Sequence, residues 1–148
     1  MRRKRNKQIQ NPYFVPVHWV MLNSKAYINL PQSAAKALPY FLGKVKKPFF
    51  DPERYLQIFE LSYGEADRYG FACSTFSNVI QALVRHGFID PVDKGGLRSD
   101  GKSYNKFRLS KRWENYEQAD FEKLEWRCFV PKPRLKATSK SEIDSFRI

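Results

Sequence analysis

The sequence predicts an α+β fold, and three observations predict it. The stretch from Phe59 to Asp90 reads as helix, turn, helix and strand. It is followed by two short strand-like runs, FIDPV and YNKFRLS, joined by the glycine-rich turn DKGGLRSDGKS. A composition with 12 Phe and 8 Tyr in 148 residues, 16% aromatic in all, supplies the core that one domain of this size needs.

The central stretch carries the clearest local signals. Ser62 stands three residues before Glu65, the capping-box spacing in which each side chain can satisfy an orphan amide at a helix start. Gly70 supplies a stop, and Ser74 is expected to open a second helix over about 75–86. There Phe76, Val79, Ile80, Leu83 and Val84 form an apolar stripe at three- and four-residue steps, and Gly87 ends it where a left-handed residue is favoured. Two short helices joined by a tight turn form a helix-turn-helix pattern.

Upstream, MRRKRNKQIQNP places Arg2, Arg3, Lys4, Arg5 and Lys7 ahead of any hydrophobic periodicity. Such a run repels itself open, and it reads either as an arm for phosphates or as a solvated tail. Tyr13–Leu22 is β-branched and aromatic and is expected to be extended, with Pro16 restricting it to an edge or a bulge. His18 sits there without an acid-base partner and is read as structural. Pro31 should begin the next helix, along which Ala34, Ala35, Leu38, Phe41, Leu42 and Val45 recur, with Pro39 expected to kink or split it. Lys44, Lys46 and Lys47 follow, where the helix dipole alone accounts for cations. Tyr55–Leu61 is expected to be extended. Acids are frequent in Asp51–Asp67, so the helix at 63–69 is read as the supporting one.

The second helix differs. With its apolar stripe turned inward, its outer face carries Ser74, Thr75, Ser77, Asn78, Gln81 and Arg85, with His86 at its margin, and no acid occurs between Cys73 and Ile89. Asn and Gln can pair bidentately with adenine and Arg with guanine in a major groove. The competing reading is an ordinary polar face. The hairpin beyond it carries Lys94, Arg98, Lys102, Lys106 and Arg108, cations placed to reach a nucleic-acid backbone. Its glycines do not form a phosphate-cradling fingerprint. A short helix is expected within KRWENYEQADFEKLEW, with Trp113 and Trp126 packing inward, and a basic flexible tail after it.

The 27 Lys and Arg against 15 Asp and Glu give a net charge of +12 and a pI near 9.8, which points to a polyanionic partner. Cys73 and Cys128 are isolated and lie far in sequence from His18 and His86, so no zinc pattern is present and no cofactor or metal is expected. No apolar run reaches membrane-spanning length, and a cytoplasmic protein without membrane association is expected.

Helix, turn and helix ending in LVRHGFID, a GG-containing hairpin and a closing FRLS followed by RW resemble the winged helix-turn-helix family, especially small DNA-binding proteins of phages, plasmids and other mobile elements. The upstream FVPVHWVMLNSKAYINLPQSAAKALPYFL is similar to the opening of winged-helix replication-initiation proteins. The resemblance covers about 13–113. It implies recognition of duplex DNA by the helix at 75–86 beside a β-hairpin wing at 94–108; with the basic composition of the two ends, the chain is expected to divide into a basic arm at 1–12, a winged-helix domain at 13–126 and a basic tail at 127–148. The expected role is non-enzymatic, in replication initiation or transcription regulation. The alternative is a winged-helix interaction module that assembles a nucleoprotein complex with a partner protein and RNA or single-stranded DNA. A carboxylate-metal nuclease is the third and weakest alternative, since no catalytic set has a motif context.

Overall fold

A computed structural model of the protein describes residues 14–48, 50–98 and 101–130. The fold is α+β. Among the described residues it comprises five α-helices, a three-stranded antiparallel sheet and a two-stranded ladder. In chain order the elements are α1 (Trp19–Leu22), α2 (Lys25–Ile28), α3 (Gln32–Leu42), a 3-10 turn (Pro52–Tyr55), β1 (Phe59–Glu60), α4 (Tyr63–Arg68) and α5 (Cys73–His86). Then come β2 (Ile89–Asp93), β3 (Gly96–Arg98), β4 (Gly101–Ser103), β5 (Lys106–Leu109) and a second 3-10 turn (Arg112–Asn115).

The sheet runs in the order β1-β5-β2, so the first strand pairs with the last. Phe59 lies opposite Phe107, and Ile89 opposite Leu109. The β2–β5 pairing shifts register between Pro91 and Asp93, a bulge at the position where proline cannot donate to the ladder. Beyond it, β3 and β4 pair with each other as the far end of the same hairpin.

One core joins these elements. Phe41 of α3 packs edge-on against Phe107 of β5 at 5.7 Å and stacks on Phe76 of α5 at 6.0 Å between centroids. All three rings are buried. The stripe expected on α5 is buried in full, with Phe76, Val79, Ile80, Leu83 and Val84 at most 1% exposed.

Five local expectations are corrected. The segment expected to be extended at 13–22 instead closes into α1, whose Trp19 carbonyl accepts from the Asn23 side chain, and then into α2, where Ser24 Oγ caps the Tyr27 amide. Its apolar composition therefore does not mark a strand: Trp19 and Val20 are 77% and 72% exposed. The helix α3 starts one residue later than expected, with Pro31 at its N-cap, and runs unsplit through Pro39 near its last turn, where one missing amide forfeits one bond. On α5 the N-cap is Ala72 rather than Ser74, and no side chain caps it. Finally, the helix expected near 111–126 is only the 3-10 turn Arg112–Asn115. Tyr116 and Phe121 are five residues apart and Leu124 and Trp126 two, so no single helical face could bury them all. The chain turns at Glu117, whose φ is +66, and continues as an irregular strap over the domain. The 55–61 segment is extended only at β1, because Asp51 nucleates the preceding 3-10 turn by accepting from the Glu53 amide.

Candidate nucleic-acid interface

The helix-turn-helix is fixed by two glycines. After α4, Gly70 has φ +91, its amide donates to the Asp67 carbonyl, and that of Phe71 donates to Ala66. After α5, Gly87 has φ +88, its amide donates to Val84 and that of Phe88 to Leu83. Both are Schellman closures, which need a left-handed residue at this point. At Gly87 there is also no room for a side chain: a Cβ would sit 2.6 Å from the Trp113 amide nitrogen. The start of α4 uses half of the expected capping box. Ser62 Oγ accepts from the Glu65 amide at 3.0 Å, while the Glu65 carboxylate reaches away to form an ion pair with Lys44.

Along α5, Ser74, Asn78, Gln81 and Arg85 follow one another at steps of four, three and four residues, so they form one line down the face opposite the core stripe. The line is not uniform. Ser74, Thr75 and Asn78 are exposed, and Ser77 is half-buried. Gln81, expected on the outer face, is only 7% exposed, which corrects that placement. What covers it is the strap. The Gln81 amide oxygen accepts from the backbone N–H groups of Trp126 (2.9 Å) and Arg127 (3.0 Å), and its Nε2 donates to the Glu125 carboxylate. The other half of that carboxylate's capacity goes to Arg85, whose Nε and Nη2 donate at 3.1 and 3.0 Å. The Arg85 hydrogen bonds, with that from Gln81, hold the Glu125 carboxyl below its ordinary range. Arg85 is exposed, but its fork is spent on Glu125.

Two further bonds tie the strap down. Arg127 Nη2 donates to Asn78 Oδ1, and Lys94 Nζ donates to the Arg127 carbonyl at 3.1 Å while lying 5.0 Å above the Trp126 ring. Trp126 itself is 5% exposed and packs against Phe107, with ring centroids 5.3 Å apart. The strap is therefore rooted in the core, and the described structure continues through Val130, past the boundary expected at 126/127. Its other end hangs on Arg112, whose guanidinium donates to Asp90 at 2.6 Å and to the carbonyls of Val84, Ile89 and Glu122. Sequence reasoning missed Arg112, Glu125 and Arg127. No local pattern marks them, because each acts on residues many positions away.

The hairpin is pinned at its base, where Asn105 Oδ1 accepts from the Gly95 amide at 2.7 Å. Of its expected cations, Lys94 is committed to the strap. Lys106 lies opposite Glu60 and Asp93 in the sheet, and Arg108 opposite Asp90. Lys106 and Arg108 are half-buried, and Arg108 Nε is buried without a hydrogen-bond partner among the described residues. The side chains of Arg98 and Lys102 lie outside the described residues, as do Arg2, Arg3, Lys4, Arg5 and Lys7 of the arm and residues 131–148. Residues 1–12 hold five cations and no acid, and 131–148 five cations and two acids, so eight of the twelve net positive charges belong to the two ends. On the described body, Lys44 and Lys47 are matched by Glu65 and Glu53.

Among the described residues no three His, Cys, Asp or Glu side chains are grouped to hold a metal, and no helix is long and apolar enough to cross a membrane. Cys73 and Cys128 are exposed thiols. No family model matches the chain, and no curated protein or solved structure shows significant similarity to it.

Proposed function

We propose that this chain is a non-enzymatic winged-helix protein that binds duplex DNA, with α5 as the recognition helix and the β2–β5 hairpin as the wing. The observation that carries this reading is the acid-free first half of α5, where Ser74, Thr75 and Asn78 are exposed, presented as the second helix of a helix-turn-helix. In such motifs the N-terminal residues of the recognition helix meet the base edges. The sheet order β1-β5-β2, with the hairpin directly after α5, supports the winged arrangement. Affinity then comes mainly from the cations of the arm, hairpin and tail, and sequence preference from the short polar groups of α5. The task that the family resemblance suggests is replication initiation or gene control in a mobile element.

One observation favours the alternative, a module that assembles a nucleoprotein complex. Trp19 and Val20 are exposed and line a groove with Trp113 and Tyr116, an aromatic-rich surface that also carries Lys25 and Glu114. A single titration series separates the readings: binding of the full chain to duplex, single-stranded DNA and RNA at several salt concentrations. The proposal expects duplex to bind best, with log affinity falling steeply against log salt, by about 0.9 per phosphate contacted. A shallow slope, or preference for either single strand, overturns it.

A further inference from the structure

Arg85 is the cation that the sequence places on the outer line of α5, yet it is bound in both directions by Glu125. An arginine whose fork already holds a carboxylate offers a phosphate little, since ion pair and incoming anion compete for the same N–H groups. The same strap that neutralises Arg85 delivers another arginine two residues later. Arg127 is exposed, and it is positioned three ways: its amide by Gln81, its carbonyl by Lys94, and its guanidinium by Asn78. A guanidinium has five N–H donors, so the bond to Asn78 orients the group without exhausting it. Fixing the backbone and one donor also removes much of the entropy cost that a long, free side chain bears on binding.

We infer that the nucleic-acid surface is a composite of helix and strap, in which Arg127, not Arg85, is the cation that contacts a phosphate beside α5. The inference rests on the proposed duplex-DNA reading. It assigns a phosphate rather than a base because the strap sits on the second half of the outer line: when the open first half of α5 meets the base edges, a group carried past that half lies toward the flanking backbone. Asn78 is then a positioning residue as well as a candidate base reader. Glu125 keeps the second half of the line neutral and so confines direct contact to the first half.

The test uses the full chain and duplex DNA pools, with binding measured across salt. Two variants carry it: Arg127→Ala, and the double variant Arg85→Ala with Glu125→Ala, which deletes the ion pair at no change in net charge. A thermal midpoint for each checks that the fold is kept. Arg127→Ala is expected to weaken all duplexes alike, by about tenfold near physiological salt, and to reduce the salt slope by about one. Arg127→Lys, which keeps the charge, should recover much of the loss. The double variant should bind within about twofold of the parent. If Arg127→Ala binds like the parent while the double variant loses affinity, the inference is overturned and the duplex-DNA reading stands. If the parent chain itself shows no salt-steep duplex binding, both fall.

Discussion

The two halves of α5 lie on one continuous helix and share one outer line of residues, yet they present different surfaces. From Cys73 to Asn78 the line is exposed polar side chain. From Gln81 to Arg85 it is tied to the strap, which covers Gln81 and pairs Arg85 with Glu125. Local helix geometry is the same in both halves. The difference lies in tertiary contacts, so what a helix face can recognise is set by the segment laid over it as much as by its own residues.

The largest way to break this contrast is to uproot the strap. Trp126→Ala removes a buried ring from beside Phe107. It is expected to cost about 3–5 kcal/mol in a denaturant titration, to expose Gln81 and to release Arg85 from Glu125. Ser74→Ala on the open half should stay within about 0.5 kcal/mol, because that side chain is exposed. Equal costs at the two sites would mean that the halves do not differ as described.

A smaller perturbation sharpens the contrast without unfolding anything. Glu125→Gln leaves Arg85 with its charge uncompensated and should strengthen binding to all duplexes a few-fold, with a salt slope larger by about one. Acid should act on the same contact. Because Arg85 and Gln81 hold the Glu125 carboxyl below its ordinary range, the stabilisation is fully present above the ordinary carboxylate value and is lost as pH falls through the depressed one. The carboxylate is 44% exposed, so the effect is screened and small. Hydrogen exchange at the Trp126 and Arg127 amides, both bonded to Gln81, should show protection declining in acid in the parent chain and no such step in the Glu125→Gln variant.

The fold was legible in the sequence where its causes are local. The α5 stripe, the Ser62 cap and the Gly70 and Gly87 closures all depend on residues within one or two turns, and each stands where spacing places it. The segments misread were those whose form is set elsewhere. The segment after Trp113 carries apolar residues that suggest a helix, but Gln81 and Phe107, far upstream of Trp126, hold it as an irregular strap. The candidate site was half legible for the same reason. Ser74, Thr75 and Asn78 are exposed as the periodicity implies, whereas the partners of Gln81, Arg85 and Asn78 lie 44, 40 and 49 residues downstream. An acid-free stretch says nothing about an acid that arrives from another part of the chain.

The central claim is that duplex DNA meets the open half of α5 and not the closed half. It is tested most directly by backbone amide NMR of the full chain titrated with duplex DNA. The account predicts the largest shifts at Ser74 to Asn78 and at Arg127, with the Trp126 amide still protected from exchange. Shifts centred on Trp19, Val20 and Tyr116, with α5 unmoved, would contradict it.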